Sequence, residues 1–218
     1  MAQFRRIDVI LKMEQLPLVP VFYHHDIDIC LNIIKSCYNA GIRVFEFTNR
    51  GDFAQDIFGE MINYAKQNYP EMILGAGTIA DAGTASLFIQ KGANFIVSPF
   101  LNQDIFKVCN RRKILHIPGC ASLTEVSQAE EYGAEIVKIF PGDVLKPQFI
   151  KNLKGPMPWS SLMVTGGVEA NEESLRSWFN AGATCVGLGS QVFTKDLIES
   201  KNYKTLEEKI KLLWGFIN

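Results

Sequence analysis

Within GAEIVKIFPGD (133–143), Lys138 stands among Ile136, Val137, Ile139 and Phe140. Burying an ammonium group in such a run is costly unless it is paired or neutralised. Two accounts are open. Lys138 is a structural cation bridged to Glu46 or Asp143, or it is a lysine whose pKa is depressed by desolvation. In the second case a fraction of free amine can attack a carbonyl and form a Schiff base. A protonated imine withdraws electrons from the adjacent carbon, as carbon–carbon cleavage beside a ketone requires.

Other polar residues fall at matching places. Glu46 alternates with Val44 and Thr48 in RVFEFT, so it shares their side of a strand. It is either half of an ion pair with Lys138 or an acid–base partner for it. Arg50 follows two residues after that run, where its planar fork suits a carboxylate. TGG (165–167) and GLGS (187–190) bring glycines to the ends of the last two apolar runs. There, backbone N–H groups can approach a phosphate closely; alternatively these glycines only make turns.

The elements that must position these residues recur along the whole chain. Eight short β-branched or aromatic runs span 18–23, 43–48, 72–77, 95–99, 114–119, 135–141, 161–167 and 184–190. Amphipathic stretches such as 26–41 separate them, and that stretch closes at Gly41. Four of the stretches end alike, in NAGIRVFEF, QKGANFIVS, EYGAEIVKI and NAGATCVGL, with a glycine just before the next strand. Run starts about 19 to 29 residues apart fit compact βα units, and eight such units close into a parallel barrel. The expected architecture is therefore one α/β domain over residues 1–218, a TIM (β/α)8 barrel with an extra helix at 3–15. An open doubly wound sheet normally carries a glycine fingerprint after its first strand, and VFYHHDIDIC has none. Barrels carry reactive residues at the C-terminal strand ends, where the polar positions above fall.

Composition excludes several classes. With 22 Lys and Arg against 23 Asp and Glu, no charge excess invites nucleic acid or an acidic membrane. Cys30, Cys37, Cys109, Cys120 and Cys185 form no CxxC pair, which argues against a disulfide framework or zinc site and for a reducing cytoplasm. The start of the chain lacks the apolar core of a signal peptide, and no stretch is long enough for a membrane span, so a soluble, unprocessed protein is expected. His24, His25 and His116 with Glu46 and Asp143 are conceivable metal ligands, but no HxH or HxxE spacing brings two together, so no metal is expected.

The chain resembles the class I 2-keto-3-deoxy-6-phosphogluconate (KDPG) and 4-hydroxy-2-oxoglutarate (KHG) aldolases over nearly its full length. The resemblance is carried by VPV (19–21), FEFTNR (45–50, for the family's E-x-T-x-R), GAGT (75–78), VSP (97–99), IPG (117–119), VKIFP (137–141), TGG (165–167) and GS (189–190). It implies a Schiff-base lysine at Lys138 and a general acid/base at Glu46. It further implies carboxylate binding by Arg50 with Thr78, pocket walls at Pro99 and Phe140, and Thr165 beside the reacting carbons. Gly166, Gly167, Gly189 and Ser190 would hold the phosphate. No cofactor or metal is implied; the partners are a 2-keto-3-deoxy phospho sugar acid and pyruvate, and a homotrimer is expected.

The sequence departs from the family at SPFL (98–101) and FPGD (140–143), both beside the expected pocket. The 6-phosphogalactonate analogue is thus an alternative substrate. Metal-dependent aldolase or epimerase barrels, thiamin-phosphate-synthase-like barrels and non-catalytic phosphosugar binders are the competing classes. The last two leave E-x-T-x-R and VKIFP, or Lys138 itself, without a role. The C-terminal YKTLEEKIKLLWGFIN (203–218) is expected to form an outer helix; its apolar face, or Trp178, could serve a subunit contact.

Overall fold

In the computed structural model, residues 2–217 are described. The chain opens with α1 (Arg6–Gln15). The strands then run β1 (Leu18–Phe22), β2 (Val44–Thr48), β3 (Ile73–Gly77), β4 (Phe95–Val97), β5 (Leu115–Ile117), β6 (Gly119–Cys120), β7 (Val137–Ile139), β8 (Leu162–Val164) and β9 (Cys185–Leu188). The helices between them are α2 (Ile27–Asn39), α3 (Ala54–Asn68), α4 (Ala82–Lys91), α5 (Gln103–Arg112), α6 (Leu123–Glu131), α7 (Gly142–Lys154) and α8 (Glu172–Ala181). After β9 come α9 (Lys195–Glu199) and α10 (Tyr203–Trp214).

All strand pairs are parallel, in the order β5-β4-β3-β2-β1-β9-β8-β7-β6. The two ends of that order are consecutive pieces of one strand, split at Pro118, which has no N–H to give a ladder. On one side Ser98 N donates to Ile117 O; on the other Lys138 N donates to Pro118 O. The interrupted fifth strand therefore closes an eight-stranded TIM barrel.

Alternation along the strands sorts the core into two layers. Val19, Val44, Ile73, Phe95, Val97, Leu115, Ile117, Ile136, Met163 and Cys185 face the barrel interior, where Val9 and Met13 of α1 join them. The N-terminal helix thus plugs the floor. Asn94 holds the segment before it, its Oδ1 accepting from Gln3 N and Phe4 N at 2.9 and 3.1 Å. The opposite strand faces, with Phe45, Phe47, Val137 and Ile139, pack beneath the helices.

The helix stops lie where the sequence places them, Gly41, Gly92, Gly133 and Gly182 all having φ between 92° and 108°. All five cysteines are free and buried, and burial pushes their thiols well above the ordinary value, so they are packing groups. Trp178 is only 2% exposed and cannot meet a partner subunit. The apolar face of α10 (Leu206, Ile210, Leu213) is likewise covered by the chain's own barrel. Among the described residues no helix is long and apolar enough to cross a membrane.

Candidate active site

The inward parity of two strands creates the site. In β7, Val137 and Ile139 point to the helices, so Lys138 points inward above Ile136. In β2, Phe45 and Phe47 point outward, so Glu46 and Thr48 join Val44 on the inner side. Both open into a cavity of about 450 Å³ at the C-terminal end of the barrel. The turn between Gly166 (φ 83°) and Gly167 (φ 68°) forms part of its wall. These left-handed conformations are ones glycine adopts without strain, and they bring main-chain N–H groups to the surface.

Lys138 is 8% exposed and Glu46 1%, yet no salt bridge joins them, nor does one link Lys138 to Asp143. The lysine Nζ instead lies 4.8 Å from the ring centroid of Phe140. Burial drives the Lys138 pKa down, and the charge of Arg50 adds to this while Glu46 opposes it. Burial drives the Glu46 pKa up, against the pull of Lys138 and Arg50. One carboxylate oxygen of Glu46 and the Thr165 hydroxyl are buried without a hydrogen-bond partner. A structural bridge would have satisfied both charges. What exists is an amine and a carboxylate, both desolvated and partly unsatisfied, facing a ligand-sized space.

Of the residues singled out from sequence, Glu46, Arg50, Lys138, Phe140, Thr165, Gly166, Gly167, Gly189 and Ser190 all line this one cavity. Thr78 and Pro99 do not. Thr78, with φ 59°, follows Gly77 beside Glu46, and the carbonyl of Pro99 lies against Gly119. Arg50 is exposed at the rim with its guanidinium unpaired among the described residues.

Thr48, on the side of Glu46, and Gly187, of GLGS, line the cavity as well, whereas sequence reading missed Tyr23, Gln191 and Phe193, and also Val21, Phe22 and Val168. Strand parity could have found Val21 and Tyr23, which continue the inward positions of β1. Gln191 and Phe193 lie in a loop whose direction no local pattern fixes.

The histidines lie elsewhere. His116 is fully buried, its Nε2 2.8 Å from Ser98 Oγ, and burial drives its pKa down to about 3. His24 and His25 stack on each other with centroids 4.5 Å apart. Among the described residues, no three His, Cys, Asp or Glu side chains group as metal ligands would.

Comparison with known proteins places this geometry in context. A family model described as KDPG and KHG aldolase matches residues 9–209. The 2-dehydro-3-deoxy-phosphogluconate aldolase of Haemophilus influenzae is 29% identical over 204 residues, covering 93% of each chain. The 2-dehydro-3-deoxy-6-phosphogalactonate aldolase of Escherichia coli is 29% identical over 181 residues, 82% of this chain and 85% of its own. Among solved structures, the KDPG aldolase from Legionella pneumophila, with pyruvate captured as a covalent carbinolamine, superposes with a TM-score of 0.82. It is 25% identical over 90% of this chain and 93% of its own.

Proposed function

The chain belongs to the KDPG and KHG aldolase family, and from that premise we propose that it is a class I aldolase, a lyase that cleaves KDPG to pyruvate and glyceraldehyde 3-phosphate. The observation that carries this reading is the buried, unbridged Lys138 beside the buried Glu46 in the cavity at the strand ends.

The chemistry follows from those two groups. The neutral amine of Lys138 attacks the C2 ketone of the sugar acid, and the carbinolamine loses water to give a protonated imine. Glu46, through a water, moves the protons of that dehydration. Glu46 then takes the C4 hydroxyl proton as the C3–C4 bond breaks, its electron pair entering the enamine that the iminium stabilises. Glyceraldehyde 3-phosphate leaves. Protonation of the enamine at C3 and hydrolysis of the imine release pyruvate and restore the amine.

Arg50 holds the substrate carboxylate so that the ketone meets Lys138 in reacting geometry. Thr165 stands beside the reacting carbons and Phe140 packs against the lysine. Gly166, Gly167, Gly189 and Ser190 receive the phosphate through main-chain N–H groups and a hydroxyl. Thr78 and Pro99 enter this scheme as support for the loops behind the cavity, because they do not line it.

KHG, cleaved to pyruvate and glyoxylate, is a second substrate of the same chemistry. The 6-phosphogalactonate epimer is a further one, since the relative from E. coli that bears its name is as similar as the gluconate enzyme from H. influenzae. Pyruvate release from each compound, measured under identical conditions, ranks them; release from none would overturn the proposed activity.

The assembly is a homotrimer in this reading, with the exposed Phe53 and Phe100 on the loops after β2 and β4, and Val144 in the first turn of α7, as available apolar contacts. Five buried cysteines, dispersed without a CxxC pair, support a cytoplasmic setting.

A further inference from the structure

Tyr23 and Arg50 both line the active-site cavity, from just past the ends of β1 and β2. Arg50 is exposed, and among the described residues no ion pair holds its guanidinium. Its place is therefore set by the main chain that carries it. Residues 49–53 alone join β2 to α3. Asn49 N donates to Gly77 O at 2.8 Å and Arg50 N to Thr48 O at 3.0 Å, which fastens the first half of that loop.

Tyr23 meets the loop at the next residue. A Cβ at Gly51 would fall on the Tyr23 phenol oxygen, with the ring carbon that bears it 2.5 Å away. Gly51 does not take a left-handed φ, so no turn requires a glycine there. What requires it is the close approach of the phenol to the main chain. The phenol is itself backed by structure, its ring tilted against that of Phe47 with centroids 5.5 Å apart, and Phe47 is fully buried beneath the helices.

We propose that Tyr23 is a positioning residue for substrate binding: its phenol seats the main chain at Gly51 and so fixes where Arg50 presents its guanidinium to the substrate carboxylate. An arginine without a partner of its own is pre-organised by a fixed stem, and that reduces the ordering cost of binding. This inference rests on the proposed carboxylate role of Arg50 in the aldolase site.

The test is borohydride trapping over a range of pyruvate concentration and pH, in a double-mutant cycle with Arg50→Gln. Tyr23→Ala should raise the pyruvate concentration for half-maximal trapping about 3- to 30-fold, part of the loss expected for removing the guanidinium outright. It should also move the pH midpoint of trapping upward, because Arg50 and Glu46 are the charges acting on Lys138 and Arg50 is the one that lowers its pKa. In the Arg50→Gln background the same change should add less than about twofold. Tyr23→Phe keeps the ring on Phe47 and should recover most of the loss. Gly51→Ala pushes the loop off the phenol and should behave as Tyr23→Ala does, so the test survives a Tyr23→Ala protein that fails to fold. A loss that persists in full beside Arg50→Gln, a Tyr23→Phe loss as large as that of Tyr23→Ala, or wild-type trapping by Gly51→Ala would each overturn the proposal. Absence of any adduct in wild type would instead overturn the aldolase reading, and this inference with it.

Discussion

The carboxylate of Glu46 occupies the space that a Cβ at Gly77 would fill. Strands β2 and β3 pair with Glu46 opposite Gly75 and Thr48 opposite Gly77, so Glu46 leans toward the strand end over a neighbour that has no side chain. The glycine of GAGT is there because an acid needs its room.

Gly77→Ala should therefore displace the Glu46 side chain without breaking the barrel ladder. A misplacement near 1 Å at a catalytic group costs about 100-fold. The expected result is a fall of about that size in kcat/KM for KDPG cleavage, with circular dichroism unchanged. Wild-type rates in Gly77→Ala would mean that Glu46 does not act from the position observed.

Two desolvated charges should also make the site a stability liability. With its native pKa below the unfolded value of about 10.4, Lys138 costs stability at low and neutral pH, and the cost is relieved as pH rises through that window. Glu46, with its native pKa raised above the unfolded value of about 4.3, costs nothing at low pH and its full amount above the native pKa. Both costs operate near neutrality. The double variant Lys138→Met/Glu46→Gln should then be inactive yet more stable by about 1–4 kcal/mol, as when buried ion pairs yield to neutral groups. Either single change should gain less, because it leaves the other charge buried without its neighbour. Calorimetry at pH 7 decides this, and a double variant that melts below wild type would contradict it.

The same shifts set a pH dependence for the chemistry. Pyruvate adduct formation needs the neutral amine, so its rate should rise with pH around a midpoint below the ordinary lysine value. Arg50 contributes to that depression, so Arg50→Gln should move the midpoint to higher pH. If Arg50 holds the substrate carboxylate as proposed, the same change should raise KM about 10- to 100-fold. A midpoint that stays put or falls would mean that Arg50 does not act on Lys138 electrostatically.

Much of this arrangement is legible in the sequence. Glu46 and Lys138 stand out because each is charged inside a β-branched or aromatic run, and strand parity alone turns both inward once Val44 and Ile136 face the core. The strand runs were legible for the same reason, and the break in the fifth follows from Pro118. Thr78 and Pro99 were misplaced because they lie past their strand ends, where the turn of the backbone, and not residue parity, decides what faces the cavity. Gln191 and Phe193 were missed for that reason too. Trp178 illustrates a different loss. An amphipathic helix announces an apolar face, but whether the barrel or a second subunit covers it depends on the closed fold.

The whole reaction depends on Lys138 acting as a nucleophile. Incubation with pyruvate and sodium borohydride, followed by peptide mass spectrometry, tests it most directly. The expected result is a reduced pyruvyl adduct on Lys138 that is absent in Lys138→Ala. A folded protein that carries no adduct, and whose KDPG cleavage is abolished by EDTA, would contradict it and make Lys138 a structural residue of a metal-dependent lyase.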